Sequence, residues 1–128
     1  MRLLLSAAFL PIVAGCSDAC SNELVTSATA PDGRHSAALF QRDCGATTGF
    51  STQISLVAPG EKPGSGGNAF RADDDHGAAR AGTWGGPWAE MKWLGADHLL
   101  VRYAAKSRIF EGADHVDGVR VTYEVVPR

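Results

Sequence analysis

Hydrophobic and polar residues alternate with a period of two through most of the chain after residue 22. The last such segment is typical, because Val119, Val121, Tyr123 and Val125 fall on one face. A period of two is the spacing of a β-strand, whose successive side chains point to opposite faces. No stretch after residue 16 sustains the spacing of a helix. The pattern predicts strands at residues 23–30, 34–42, 52–58, 69–71, 89–94, 98–104 and 119–126.

Turn-forming residues separate these segments. Pro31 and Gly33 predict a tight turn after the first strand, because Pro presets φ and Gly supplies positive φ. Residues 59–68, PGEKPGSGGN, have the composition of a loop and are the segment that we expect to be most mobile. Short strands joined by turns predict an all-β domain, either one curved sheet or a small sandwich, built as an antiparallel meander.

The N-terminus has a different pattern. One positive residue, Arg2, precedes an apolar run at residues 3–14. This run is too short to span a bilayer, which takes about 20 residues of helix. A basic start, a short apolar core and small residues before a cleavage point are typical of a secretion signal. We therefore expect residues 1–15 to be a signal peptide.

The end of that segment, Val13-Ala14-Gly15-Cys16, resembles the bacterial lipobox, in which an apolar residue and two small residues precede a Cys. The resemblance implies that Cys16 carries a diacylglycerol, that the chain is cut before it, and that the new amine is acylated in many bacteria. An ordinary signal peptide with an incidental Cys is the alternative. Two or three acyl chains would anchor the protein durably, whereas one binds weakly. The resemblance thus implies a membrane-anchored lipoprotein of the cell envelope, facing the periplasm or exposed at the surface.

Length and charge constrain the chain beyond the signal. Removing the first 15 of the 128 residues leaves 113, enough for one small domain. We expect a tether at residues 16–22 and a β domain at residues 23–128. Loss of Arg2 takes the formal net charge from −2 to −3. A negative chain argues against nucleic acid as a partner, because phosphate binding needs clustered Lys and Arg.

Two further cysteines remain after lipidation of Cys16. In an oxidising compartment, Cys20 and Cys44 predict one disulfide, and two buried free thiols are the alternative. Closing a loop of that length stabilises a fold by about 3–4 kcal/mol in the chain-entropy model. Since Cys20 lies four residues from Cys16, such a bond would also hold the domain close to its anchor.

The segment around Cys44, RDCGATTGFST, carries hydroxyl, carboxylate and guanidinium groups. Arg42, Asp43, Thr47 and Thr48 are candidate contacts for a polar ligand or a partner. The structural interpretation is that Asp43 and the threonines bond nearby backbone amides and that Arg42 pairs with an acid. We favour the structural interpretation, because turns commonly use these residue types.

A second candidate lies at Trp84 and Trp88, which flank Gly-Gly-Pro. The two rings could form a platform for sugars, and glycan strands are plentiful in the bacterial envelope. They could equally cover the open edge of a small sheet, where each would bury about 150–250 Å². A chain of this size is short of core, so we favour the second interpretation.

Catalytic and metal-binding signatures are absent from the sequence. The tract at residues 73–76, DDDH, lacks the spacing of a calcium loop or a zinc site and is typical of a solvated turn. Ser65 fails the Gly-x-Ser-x-Gly pattern, and no phosphate-cradling loop occurs. We therefore predict no cofactor, no metal and no enzymatic activity.

Most of the mature chain resembles a family of small uncharacterised bacterial envelope proteins. The resemblance rests on a Pro-Asp-Gly hairpin, the RDCGATT motif and a Trp-Leu-x-x-x-x-Leu strand pair. It implies a grouping and no mechanism. We expect a non-enzymatic binding or accessory module that contacts an envelope protein or glycan. The alternatives are an inhibitor or immunity protein against an envelope-acting enzyme, and a small hydrolase with a spatial Asp-His pair.

Overall fold

The computed structural model describes residues 19–45 and 49–127. The predicted signal peptide, Cys16, Thr47 and Thr48 lie outside the described residues. Within the described ranges the chain forms strands and no helix, which confirms the all-β prediction. The strands are β1 Ser21–Thr29, β2 Ser36–Asp43, β3 Ser51–Val57, β4 Phe70–Asp73, β5 Ala89–Gly95, β6 His98–Ala104, β7 Arg108–Gly112, β8 His115–Val116 and β9 Val119–Val126.

The first sheet has five strands in the order β1-β2-β3-β4-β7, and its neighbouring strands are antiparallel. Its first hairpin turns at Pro31 to Arg34, where Gly33 has a φ of 73° and its N–H donates to the Ala30 carbonyl at 2.9 Å. The predicted turn is therefore present. β7 arrives from much later in the chain and extends the sheet beyond β4.

The second sheet has four strands in the order β5-β6-β9-β8. β5 and β6, the strands predicted at residues 89–94 and 98–104, form an antiparallel hairpin. β6 and β9 are parallel, with His98 opposite Arg120 and Ala104 opposite Val126. Between them the chain crosses to the first sheet as β7 and returns through β8. This crossover reverses the chain direction twice, so β9 runs like β6 and the meander is not purely antiparallel.

One hydrophobic core lies between the two sheets. Alternate residues of the longer strands β2, β3, β6 and β9 supply most of it, as the period-two pattern requires. Burying each large aliphatic or aromatic side chain stabilises the fold by about 1.5–3 kcal/mol. Its largest members are Leu39, Ile54, Leu56 and Phe70 from the first sheet and Leu99, Val101, Val119 and Val121 from the second.

Aromatic residues join the sheets at one end of this core. The Phe70 ring from β4 lies 5.7 Å from Tyr103 of β6 and 6.0 Å from Tyr123 of β9, measured between centroids. The Tyr123 hydroxyl lies 3.1 Å from the Ala69 carbonyl oxygen and 2.7 Å from that of Ala113. Burial raises the pKa of the Tyr123 phenol, so this hydroxyl stays a donor throughout the physiological range.

A disulfide joins Cys20 to Cys44, as predicted from the cysteine count. Ser21 and Asp43, the residues next to the two cysteines, are directly paired in the ladder. The bond therefore closes the open end of the β1–β2 hairpin. It connects the residue before β1 to the residue after β2, the second strand of the five-stranded sheet.

Candidate functional site

A cleft of about 520 Å³ opens on the face of the five-stranded sheet that points away from the core, at the disulfide end. Its volume lies within the usual range of small-molecule sites, about 300–1,000 Å³. We call it the arginine-lined cleft. It is lined by Arg42, Cys44, Gly49, Ser51, Gln53, Arg71, Asp73, Asp74, His76, Gly77, Arg108 and Phe110.

Strand alternation produces the floor of the cleft. On β3, Ser51 and Gln53 face outward while Thr52 and Ile54 face the core. The Gln53 side chain accepts from the Gly67 N–H at 2.7 Å and donates to Ser51 Oγ at 3.0 Å. Ser51 Oγ in turn donates to the Arg42 carbonyl at 3.2 Å. This chain of hydrogen bonds fixes the floor before any ligand arrives.

Arg42 forms the inner wall and is only 8% exposed. One guanidinium nitrogen donates to Asn22 Oδ1 at 2.6 Å. The amide nitrogen of Asn22 donates to the carbonyls of Pro63 and Ser65, at 3.1 and 2.9 Å. Arg42 is thus held by β1 and, through Asn22, by the loop that follows β3. The composition of that loop predicted mobility, and the structure shows it hydrogen-bonded to the sheet.

The opposite wall is an ion pair between β4 and β7. Arg108 Nε donates to Asp73 Oδ1 at 3.0 Å, and a second guanidinium nitrogen contacts Oδ2. The hydrogen bonds from Arg108 lower the pKa of the Asp73 carboxyl. The Arg108 guanidinium also lies over the Phe110 ring, 5.1 Å from its centroid. A two-point ion pair of this kind fixes orientation as well as charge.

A β-bulge places Phe110 at the cleft. Arg71 is opposite Glu111 and Ala72 is opposite Ile109, so Phe110 is an extra residue on β7 without a partner on β4. Bulges commonly redirect a side chain beside a functional site. Phe110 remains 58% exposed.

Arg71 is the least engaged cation of the cleft. Its nearest acid oxygen is Glu111 Oε2 at 3.8 Å, which is beyond hydrogen-bond distance. Its side chain is 45% exposed. Across residues 19–45 and 49–127, its guanidinium has no hydrogen-bond acceptor.

The tract at residues 73–76 forms a turn on the rim. Asp75, His76 and Gly77 have positive φ values of 51°, 57° and 88°. The N–H of Asp75 donates to Asp73 Oδ1 at 3.0 Å, and the Asp74 carbonyl accepts from the Ala79 N–H at 3.0 Å. The described residues contain no group of three or more His, Cys, Asp or Glu side chains placed to hold a metal ion.

The structure places the RDCGATTGFST candidates in two roles. Arg42 lines the cleft, together with Cys44. Asp43 Oδ1 accepts from the Gly45 N–H at 3.0 Å, the local turn that the structural interpretation described. Thr47 and Thr48 lie outside the described residues.

The two tryptophans have different partners. Trp84 Nε1 donates to Thr52 Oγ1 at 2.8 Å, and its ring packs against the core and closely over Gly82. The Arg80 guanidinium instead lies over the Trp88 ring, 4.5 Å from the ring centroid. Trp84 therefore covers an edge of the core.

The sequence predicts no site role for Arg71, Arg108 or Phe110, and Asp73 falls only within the tract at residues 73–76, which predicts a solvated turn. Arg71 and Asp73 do carry a signal, since they alternate with the core residues of β4. Arg108 and Phe110 join them only through the β4–β7 pairing. That contact spans more than 30 residues and leaves no local pattern in the sequence.

The Asp-His hydrolase hypothesis directs attention to His98. Its Nδ1 lies 3.1 Å from an Arg120 guanidinium nitrogen, and its Nε2 lies 2.8 Å from Thr122 Oγ1. A guanidinium cannot accept a hydrogen bond, so Nδ1 is the acceptor and Nε2 bears the proton. In this arrangement His98 donates to Thr122 and does not serve as its base.

Comparisons with known proteins identify no relative of this chain. The chain matches no family model, and neither the search of curated proteins nor that of solved structures finds a match. None of the described residues belongs to a helix long and apolar enough to cross a membrane.

Proposed function

We propose that the mature protein is a lipid-anchored, non-enzymatic binding module of the bacterial cell envelope, and that it binds a small ligand in the arginine-lined cleft. The observation that supports this proposal is the preformed cleft itself. Its floor and walls are fixed by hydrogen bonds and an ion pair between strands. Sites built on strands in this way lose little entropy when they bind.

The chemistry of the cleft favours binding over catalysis. Ser51, a hydroxyl that lines it, already accepts from Gln53 and donates to the Arg42 carbonyl. Asp73 is held as a carboxylate by Arg108. A serine nucleophile needs a base within hydrogen-bond reach of its hydroxyl. The described lining residues show no such pair.

The proposed anchor would place the cleft near the membrane. Cys44 lines the cleft and is bonded to Cys20, which is four residues from Cys16. Four extended residues span at most about 14 Å. An acylated Cys16 would therefore hold the cleft close to the lipid surface, where it would meet envelope metabolites, glycan fragments or lipid headgroups.

A blocking variant tests the proposal. The Asp74 side chain lines the cleft and makes no hydrogen bond within the described residues, so Asp74→Trp fills the space without breaking a hydrogen bond. Ligand-observed NMR with a library of organic acids, peptides and glycan fragments would identify binders of the mature lipoprotein. We expect these binders to lose their signal with Asp74→Trp.

The matched control is Asp97→Trp, in the β5–β6 turn of the other sheet. Binders should keep their signal with this variant. Ligands that bind Asp74→Trp as well as the wild type would show that the cleft is not the binding site.

A further inference from the structure

The charge of the arginine-lined cleft differs from that of the whole chain. Three guanidinium groups line it, from Arg42, Arg71 and Arg108, against two carboxylates, from Asp73 and Asp74. The chain as a whole carries a formal net charge of −2. The lining of the cleft therefore has a positive formal charge on an acidic protein. This inference rests on the proposed function and concerns the chemistry of the ligand.

Arg108 and Arg71 differ in how their charge is used. Arg108 uses two of its five N–H groups to contact Asp73, which fixes its orientation and offsets its charge. Among the described residues, the acid that Arg71 faces is Glu111, at 3.8 Å and with both side chains more than 40% exposed. An ion pair at this distance in solvent is weak. A ligand oxyanion can therefore replace Glu111 on Arg71 at little cost.

An apolar surface lies beside this cation. Phe110 lines the cleft, is 58% exposed, and has one side against Arg108. A ring fixed by a bulge and left open to solvent favours contact with an apolar part of a ligand.

We infer that the cleft binds a small ligand through an oxyanion, a carboxylate or phosphate, with Arg71 as the principal donor and Phe110 against an apolar part attached to it. The planar fork of an arginine matches both oxyanions through two parallel hydrogen bonds. The oxyanion could belong to a soluble ligand or to a lipid headgroup, since the proposed anchor keeps the cleft near the bilayer.

The test uses probes that differ in one property. The mature lipoprotein in nanodiscs of zwitterionic lipid is titrated with benzoate, phenyl phosphate, benzamide and acetate, and backbone amide shifts are followed by NMR. We expect benzoate and phenyl phosphate to shift amides of the cleft and the neutral benzamide to leave them unchanged. Acetate should bind more weakly than benzoate because it lacks the apolar part.

Variants then identify the donor. Arg71→Gln should weaken benzoate binding about tenfold or more, the usual loss for a hydrogen bond to a charged group. Arg71→Lys keeps the charge without the fork and should give a smaller loss. Phe110→Ala should weaken benzoate but not acetate. The matched control is Arg34→Gln, an exposed arginine in the turn at the far end of the β1–β2 hairpin, which should change nothing.

Two results would overturn the inference. One is benzamide binding as tightly as benzoate, and the other is benzoate binding that Arg71→Gln leaves unchanged. Either result would leave the proposed function intact if the binders found in the library screen still lose their signal with Asp74→Trp. Amide shifts confined to residues outside the cleft would count against both the inference and the proposed function.

A second lipid composition distinguishes the sources of the oxyanion. If the natural ligand is a lipid headgroup, nanodiscs with phosphatidylglycerol should themselves shift the cleft amides and compete with benzoate. If the ligand is soluble, benzoate should bind equally in both kinds of nanodisc.

Discussion

Gly67 determines how closely the loop after β3 approaches the sheet. A Cβ at this position would lie 2.6 Å from the Phe70 carbonyl oxygen and 2.8 Å from that of Ile54. Both atoms are backbone, so neither can move aside cheaply. The same glycine N–H holds Gln53 in the floor of the cleft. One glycine therefore serves both the packing of the loop and the shape of the site.

Replacing Gly67 with Ala should destabilise the fold by about 1–3 kcal/mol, the usual cost of overpacking. Urea unfolding followed by tryptophan fluorescence measures this change. Gly64→Ala is the control, because a Cβ there meets nothing within 4 Å and the backbone is not left-handed. Equal stability of the two variants would show that the loop does not hold this position in solution.

At the scale of strands, the Asp73–Arg108 pair couples β4 to β7 and makes their association depend on pH. The fold lowers the pKa of Asp73 from its ordinary value of 3.8, chiefly through the hydrogen bonds from Arg108. A carboxyl whose pKa is lower in the folded state stabilises the fold above its unfolded pKa. That contribution is lost as the pH falls through the folded value.

Asp73→Asn should therefore be less stable than the wild type at neutral pH, and the difference should shrink as the pH falls below 3.8. Urea midpoints for both proteins across that range give the result. The change should be small, because the Arg108 side chain is 46% exposed. A difference that stays constant with pH would mean that the carboxylate charge is not what matters.

The disulfide acts on the β1–β2 hairpin. Its two cysteines are 24 residues apart. Replacing both with Ser should destabilise the fold by about 3 kcal/mol in the chain-entropy model. It should also weaken benzoate binding, because the ladder pair of Asn22 and Arg42 lies only two residues from the bond. Thermal unfolding and the NMR titration measure the two effects.

The reduced wild type is the control for the double Ser variant, because it loses the same bond without a change of side chain. Its stability should match that of the variant. If both remain as stable as the oxidised protein, the hairpin is closed by its ladder alone.

The sequence pattern predicted the strands whose alternate side chains lie in the core. Alternation identified most of β2, β3, β6 and β9, because each contributes alternate side chains to the core between the sheets. β7 was missed because it is an edge strand, and its side chains are mostly exposed. The cysteine count was enough for the disulfide, since two cysteines remain once Cys16 is assigned to the lipid. The cleft could not be predicted in this way, because it depends on the β4–β7 pairing and the bulge. Both are long-range features without a local sequence signature.

At the scale of the whole molecule, the cleft lies at the end of the domain where Cys20 is bonded to Cys44. The disulfide joins Cys20, in the predicted tether, to Cys44, a lining residue of the cleft. Lengthening the tether would not change the cleft itself. It would change only the distance of the cleft from the membrane, so ligand access and ligand affinity can be examined separately.

Cys16→Ser tests the anchor. Without a thiol at this position no diacylglycerol can be attached, and we expect the protein to move from the membrane fraction to the soluble fraction of the envelope. Intact mass measurement should show the loss of the acyl chains at the same time. The double variant of Cys20 and Cys44 is the control, because it removes two thiols but keeps the proposed lipid site and should stay with the membrane. A Cys16→Ser protein that remains in the membrane fraction, with an unchanged mass apart from the substitution, would show that residue 16 is not the anchor.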